Sequence, residues 1–336
     1  MYYMEEFIMK CLNLHAIGDL RHETIDNPIC QEDEVLVKIR YCGICGSDIP
    51  RVYTKGTYHF PTVIGHEFSG IVVEDPKEEL TGQNVAVFPL LPCFSCPSCK
   101  KENYASCENY DYYGSRRHGG MAEYIAVKRW NIIPLPENVP LELGALCEPI
   151  AVALHATKKL GDITGENILV SGAGPIGLII GQWCMSRGAN AVFYFDIDSR
   201  KIDFAKSMGF FEYNGETIHA SIEGTGVSPA FAKCLDALTA SGRIVLMGNP
   251  AREMTLSQKE YWYILRKELV LYGTWNSSYN DLQNDWKEGI EAISNGTLKL
   301  NEIITHIFTP DNYKQAFEMM RDKTEFSNKV MIEWNK

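Results

Sequence analysis

The sequence has no long run of positive charge, no unbroken apolar stretch of membrane length, and no internal repeat or low-complexity segment. Each absence removes a class of function. With 43 acidic against 32 basic side chains and a formal net charge of −11, the chain would repel nucleic-acid phosphates at long range. Residues 168–186 carry no charge, but Gly172, Gly174, Pro175, Gly177 and Gly181 break them into a strand, a turn and a helix instead of a membrane span. The opening MYYMEEFIMK places Glu5 and Glu6 where a signal peptide needs cations followed by an apolar core, and the eleven cysteines are an odd number. A reducing, cytoplasmic setting is therefore expected. At 336 residues and 45% hydrophobic content the chain is long enough for two domains with full cores.

In residues 34–41, Val35, Val37, Ile39 and Tyr41 alternate with Leu36, Lys38 and Arg40, the period of a half-buried strand. Further strand-like runs at 70–74, 85–91 and 122–127 make the first 150 residues mainly β. After Leu143 helical and strand patterns alternate: ALCEPIAVALHATKKL reads as a helix, and a strand, turn and helix follow from Asn167. VFYFD, ending at Asp196, precedes a helical DSRKIDFAKSMG, and a helical AFAKCLDALTASG precedes RIVLMG, so a parallel sheet is expected. Between Gly209 and Ala220 about ten residues remain, fewer than a helical crossover needs, so one crossover is shortened or lost. Amphipathic DWKEGIEAISNG and NYKQAFEMMRD precede a strand-like NKVMIEW, a tail expected to pack back on the first domain. The expected divisions are 1–150, 151–280 and 281–336.

Four cysteines, Cys93, Cys96, Cys99 and Cys107, occur in CFSCPSCKKENYASC at a spacing that lets four thiolates close tetrahedrally on one zinc ion. That predicts a structural metal lobe at about residues 92–108, which stabilises a loop and does no chemistry. Two disulfides are the competing reading. Upstream, YCGICGSD and GHEFSG supply Cys45, His66 and Glu67, enough with one carboxylate for a catalytic zinc that keeps a position for substrate. Glu148, set among apolar residues in CEPIAV before Pro149, needs a partner and competes with Glu67 for that role. Cys42 and Cys45 also form a C-x-x-C pair, but no thioredoxin-like βαβ pattern surrounds it. His15, His155 and His306 are read as packing or surface groups, and Cys11, Cys30, Cys147, Cys184 and Cys234 as small buried hydrophobes.

SGAGPIG matches G-x-G-x-x-G at Gly172, Gly174 and Gly177, with Pro175 and Ile176 between, where a strand turns into a helix. The glycines allow a tight turn, a close pyrophosphate approach and helix-to-strand packing, while the helix N-terminus presents amides to the anion. Asp196, about twenty residues on at the next strand end, would accept from the adenosine ribose and repel a 2′-phosphate, favouring NAD over NADP.

Together, GICGSD, GHE-x-x-G, the C-x2-C-x2-C-x7-C lobe, EP before a helix, and GAGPIG followed by a strand-end Asp resemble the zinc-containing medium-chain dehydrogenases over nearly the whole chain. CGICGSDIPR, PLLPCFSCPSC, YDYYGSRRHGGMAEY and LRKELVLYGTW are similar to the polyol-phosphate branch of that family. The resemblance implies an α/β protein in which both chain ends form a GroES-like, mainly-β catalytic domain. A Rossmann domain, a doubly wound parallel sheet, lies between them, with the active site in the cleft. It also implies a homodimer or homotetramer, one catalytic and one structural Zn2+ per chain, and NAD. The implied activity is hydride transfer from a polyol phosphate's secondary alcohol to NAD, giving a ketose phosphate. By motif, Cys45, His66, Glu67 and Glu148 hold the catalytic zinc, Asp48 orients the site, and Ser47 relays the proton. Many relatives carry a histidine where this chain has Pro50, so the onward route is unassigned. Arg51, Arg116, Arg117 and Lys329 are candidate cations for a substrate phosphate. An unphosphorylated polyol such as sorbitol, another secondary alcohol, or a non-catalytic zinc and nucleotide-binding protein are the alternatives.

Overall fold

The computed structural model describes residues 8–335, so Glu5 and Glu6 lie outside the described residues. The chain forms two compact units. One comprises residues up to Glu148 with Ile290–Asn295 and those from Leu300 onward, and the other Pro149–Gly289 with Gly296–Lys299.

The first unit is built from short strands: β1 (Ile8–Ala16), β2 (Asp19–Asp26), β3 (Glu34–Ile44), β4 (Thr62–Val63), β5 (Glu67–Glu74), β6 (Asn84–Val87), β7 (Leu90–Leu91), β8 (Asp111–Tyr112), β9 (Tyr124–Lys128) and β10 (Ile132–Pro134). The α-helices among the described residues up to this point are α1 (Asp48–Pro50), α2 (Leu141–Gly144) and α3 (Cys147–Lys159), the last entering the second unit at Pro149. The alternation in β3 buries Val35, Val37 and Ile39 against Leu12, Phe68 and Tyr113, while β5 and β9 pair antiparallel with β3. The run expected as one strand at 85–91 is two, because Pro89 has no N–H for a ladder and Phe88 instead donates to the Asn131 carbonyl at 2.9 Å.

The second unit contains β11 (Asn167–Ser171), α4 (Pro175–Ser186), β12 (Ala191–Phe195), α5 (Ser199–Ser207), β13 (Phe211–Glu212), β14 (Ile218–Glu223), α6 (Ser228–Ala237), β15 (Leu238–Leu246), α7 (Gln258–Arg266) and β16 (Val270–Gly273), followed by α8 (Asp285–Ser294). Its strands pair in parallel in the order β13-β12-β11-β14-β15-β16, a doubly wound sheet whose order reverses beside β11. No helix separates β13 from β14, so the crossover judged short has lost its helix. Helix α6 ends at Ala237, five residues before the end of the helical pattern at Gly242. Lys267 Nζ donates to the carbonyls of Leu235, Asp236 and Leu238 at 3.1, 2.8 and 2.6 Å, capping the helix, and β15 starts at Leu238.

The second unit extends beyond residue 280. Asp285 is fully buried and binds His155 Nδ1 at 2.9 Å and Lys158 Nζ at 2.8 Å, which keeps the start of α8 there. The tail supplies β17 (Ile304–Phe308), α9 (Tyr313–Asp322) and β18 (Lys329–Glu333). β18 pairs antiparallel with β3 and parallel with β17, so the C-terminal segment completes the first unit's sheet. No helix of the described residues is long and apolar enough to cross a membrane.

Candidate active site

Cys45 follows the last residue of β3, His66 precedes β5, and Glu67 opens it; the ladder between these strands, Gly43 opposite Glu67, brings them together. One ligand atom from each of Cys45, His66 and Glu67 falls in a group whose members all lie within 4.8 Å of one another. The donor set is a thiolate, an imidazole and a carboxylate. Glu67 Oε1 is buried with no hydrogen-bond partner among the described residues, which a water-excluded carboxylate tolerates only if a cation meets it. These residues therefore fit a zinc ion.

Their surroundings orient them. His66 Nδ1 faces Asp48 Oδ1 at 3.5 Å, which leaves Nε2 as the ligating nitrogen. Asp48, fully buried, accepts from the Cys45 amide at 3.0 Å and from Arg51 Nη1 at 2.8 Å. Burial opposes its charge, but His66 and Arg51 hold its pKa down at about 2. Burial likewise opposes charge on His66, yet Asp48 and Cys45 outweigh it and raise that pKa well above the usual value. Arg51 Nη1 also donates to Ser47 Oγ at 2.9 Å. Glu148 stands outside the 4.8 Å group; Tyr112 Oη donates to its Oε1 at 3.2 Å, and burial pushes its pKa up to about 7. Cys42 is fully buried with its thiol pushed far up by burial, the setting of a core residue and not of a redox dithiol.

Three of the four cations proposed for a phosphate are committed elsewhere. Lys329 is 3% exposed and donates to Glu67 Oε2 at 2.5 Å, so it is a buried partner of the metal-site carboxylate and does not reach for a substrate phosphate. Arg117 pairs with Asp111 at 2.8 Å over the Tyr113 ring, and Arg116 is held between Tyr58 and Tyr110. Arg51 pairs with Asp48 and, like Lys329, adjoins the metal-binding group, its Nη1 standing 3.5 Å from His66 Nδ1. Sequence reasoning assigned Lys329 to a substrate phosphate and missed its place beside Glu67 because that partner is 262 positions away; the available signal was a lysine opening an apolar strand, which must find an anion.

In the lobe, the four Sγ atoms also lie within 4.8 Å of one another, Cys93 to Cys99 at 3.9 Å and Cys96 to Cys107 at 4.0 Å. Thiolates at a Zn–S distance of about 2.3 Å stand roughly 3.8 Å apart in a tetrahedron, whereas a disulfide requires about 2.05 Å. Amides of Cys93 and Cys96 donate to Cys107 Sγ and Cys93 Sγ at 3.3 and 3.4 Å, and hydrogen bonds from Ser95 lead in lowering the Cys93 pKa to about 5. The lobe fits a metal. Of the remaining cysteines, Cys11, Cys147, Cys184 and Cys234 are buried as expected, but Cys30 is half-exposed.

In the second unit, Gly172 adopts φ +92° after β11, and Gly174 caps α4 ahead of Pro175, with Ile176 half-buried in the first turn. A Cβ on Gly177 would lie 2.0 Å from the Gly172 carbonyl oxygen, whereas one on Gly174 would meet nothing nearer than Lys201 Nζ at 3.7 Å. The turn is thus closed behind and open in front. Asp196 uses both carboxylate oxygens within it, accepting from the amides of Ala173 and Asp198 at 2.9 Å each.

Comparison with known proteins agrees with this geometry. Residues 31–137 match the family profile of the alcohol dehydrogenase GroES-like domain, and residues 175–295 that of the zinc-binding dehydrogenases. The chain belongs to the zinc-binding, medium-chain alcohol dehydrogenase family and is an oxidoreductase. Within it, galactitol 1-phosphate 5-dehydrogenase of Escherichia coli (strain K12) is 36% identical over 314 residues, 88% of this chain and 91% of that one. The crystal structure of galactitol-1-phosphate dehydrogenase from Escherichia coli superposes with a TM-score of 0.89 at 33% identity, covering 97% of this chain and 100% of that one. L-threonine 3-dehydrogenase of Serratia proteamaculans (strain 568) is 29% identical over 97% of this chain and 100% of its own length.

Proposed function

We propose that this chain oxidises a secondary alcohol of a polyol phosphate of the galactitol 1-phosphate type, using NAD and giving a ketose phosphate. The observation that carries the chemistry is the Cys45, His66 and Glu67 cluster with its orphaned buried oxygen; the similarity to galactitol 1-phosphate 5-dehydrogenase supports the substrate. When bound, zinc supplies a Lewis acid for the alcohol oxygen, and NAD accepts the hydride. Cys45, His66 and Glu67 hold the metal, with Glu148 as the neighbouring carboxylate, and Cys93, Cys96, Cys99 and Cys107 hold a second, structural zinc. Asp48 fixes the His66 ring. Ser47 accepts from Arg51 through Oγ, which leaves its own O–H to pass on, so it serves as the first proton relay. A guanidinium cannot take a proton, so the onward route does not run through Arg51, whose charge instead attracts an anionic substrate.

Asp196 has acceptor capacity left after its two amide bonds and is assigned the ribose hydroxyls, the feature that favours NAD. Residues 172–177 receive the pyrophosphate. A homodimer or homotetramer is supported by the edge strand β16 with exposed Val270 and Tyr272 and by α7, which buries none of its residues. A cytoplasmic location suits four thiolates that must stay reduced. NADH formation measured with galactitol 1-phosphate, galactitol and L-threonine side by side tests the substrate. A large preference in kcat/KM for the phosphorylated compound is expected, and equal or opposite preference overturns it.

A further inference from the structure

We infer that Lys329 is a positioning residue: it holds Glu67 by Oε2, so that the carboxylate offers the catalytic metal one oxygen, Oε1, instead of two. The inference rests on the reading of Cys45, His66 and Glu67 as a metal site. Lysine is among the side chains least often fully buried, yet Lys329 is 3% exposed and its Nζ stands 2.5 Å from an oxygen of Glu67, itself 0% exposed. The other oxygen of the same carboxylate, Oε1, is buried without a partner among the described residues, and Glu67 contributes one carboxylate oxygen to the group formed with Cys45 and His66. The backbone makes room for this arrangement. A Cβ on Gly43 would lie 2.3 Å from Glu67 Oε2, so the glycine on β3 leaves the carboxylate room beside Lys329, and a larger residue there would displace it. Lys329 arrives from the far end of the chain, where β18 pairs with β3 through Val330 opposite Ile44 and Met331 opposite Gly43.

The anions of the site divide accordingly. Asp48 has Arg51 at 2.8 Å and Glu67 has Lys329 at 2.5 Å. A lysine beside a dication repels it, and while it occupies Oε2 the carboxylate cannot chelate through both oxygens, a mode carboxylates otherwise adopt on cations. Removing the lysine lifts both restraints, so the metal is held more tightly and by more ligand atoms.

The test uses the full-length protein with zinc in the Cys93 lobe and Co2+ at the second site, comparing wild type with Lys329→Met, Lys329→Gln and Lys329→Arg by visible absorption and by competition with a chelator. Removing an outer-sphere partner typically lowers metal affinity by about 10–100-fold; here the partner removed is a cation that repels the metal, so the sign reverses and Lys329→Met is expected to bind at least about ten-fold more tightly. Its Co2+ bands should weaken as coordination rises from four toward five. Lys329→Arg should keep the wild-type spectrum and affinity, and Lys329→Gln, which retains one N–H for Glu67, should shift in the same direction as Met by a smaller amount and serves if Lys329→Met does not fold. A wild-type spectrum with unchanged or weaker affinity in Lys329→Met and Lys329→Gln overturns the inference. If wild type instead takes up no metal beyond the lobe, the metal-site reading itself has failed.

Discussion

Replacing Gly177 with alanine would place a Cβ 2.0 Å from the carbonyl oxygen of Gly172, nearer than the 3.0 Å that real Cβ atoms keep. The two nearest atoms are backbone, so no side chain can swing away to relieve the clash, and the turn must open by about 1 Å. Overpacking of this kind costs about 1–3 kcal/mol. Alanine returns about 1 kcal/mol through helix propensity, because Gly177 lies in the first turn of α4, so the net loss of stability is roughly 0–2 kcal/mol. The melting temperature should fall by only a few degrees, at about 2–4 °C per kcal/mol. Cofactor binding should suffer more, since amides displaced by about 1 Å from a pyrophosphate lose on the order of 100-fold, roughly 2.8 kcal/mol. NADH titration by fluorescence measures this, with Gly273→Ala as the control, since a Cβ there meets nothing within 4 Å. If Gly177→Ala binds NADH as tightly as wild type, the assignment of this turn to the pyrophosphate is wrong.

Cys96→Ser should remove one zinc per chain and expose residues 93–107 to protease, because a structural zinc site contributes about 10–16 kcal/mol to folding of its loop; unchanged zinc content would refute the lobe. Asp75 accepts from the amides of Lys77, Glu79 and Leu80 and from Arg129, and although desolvation opposes its charge, these partners lower its pKa from 3.8 to about 2. Because the folded value is the lower one, that stabilisation is present above pH about 4 and is lost as pH falls toward 2. The destabilisation by Asp75→Asn in denaturant titrations should therefore be constant from pH 7 to 5 and shrink below 4; growth at low pH would contradict it. Asp285→Ala leaves His155 and Lys158 without their buried anion and should cost about 3 kcal/mol, read from the urea midpoint. Ser47→Ala should lower kcat by roughly 10²-fold or more with little change in KM, and an unchanged kcat would remove Ser47 from the proton route.

What could be read from the sequence was local. Period-two alternation in residues 34–41, the punctuation by Gly172, Gly174 and Gly177, and the cysteine spacing each encode geometry within a few residues. The missing helix between β13 and β14 was legible as well, because a crossover helix has a minimum length. The return of the tail to the first unit was expected, but the particular side chains that meet across the chain were not legible. Helix α6 stops at Ala237 because Lys267, some thirty positions on, caps its carbonyls. Lys329 looked like a free cation until the β18 to β3 ladder set it against Glu67, and Arg117 until the chain folded Asp111 beside it. Arg51 is an intermediate case, since Ser47 and Asp48 lie four and three residues before it, within one helical turn.

The central claim is that Cys45, His66 and Glu67 hold the metal that makes this chain an alcohol dehydrogenase, and zinc content measured together with NADH formation from galactitol 1-phosphate in wild type and Cys45→Ala tests it most directly. Two zinc ions per chain with activity in wild type, against one zinc ion and no activity in a folded Cys45→Ala, is the predicted result. Full activity or unchanged zinc content in Cys45→Ala would contradict it.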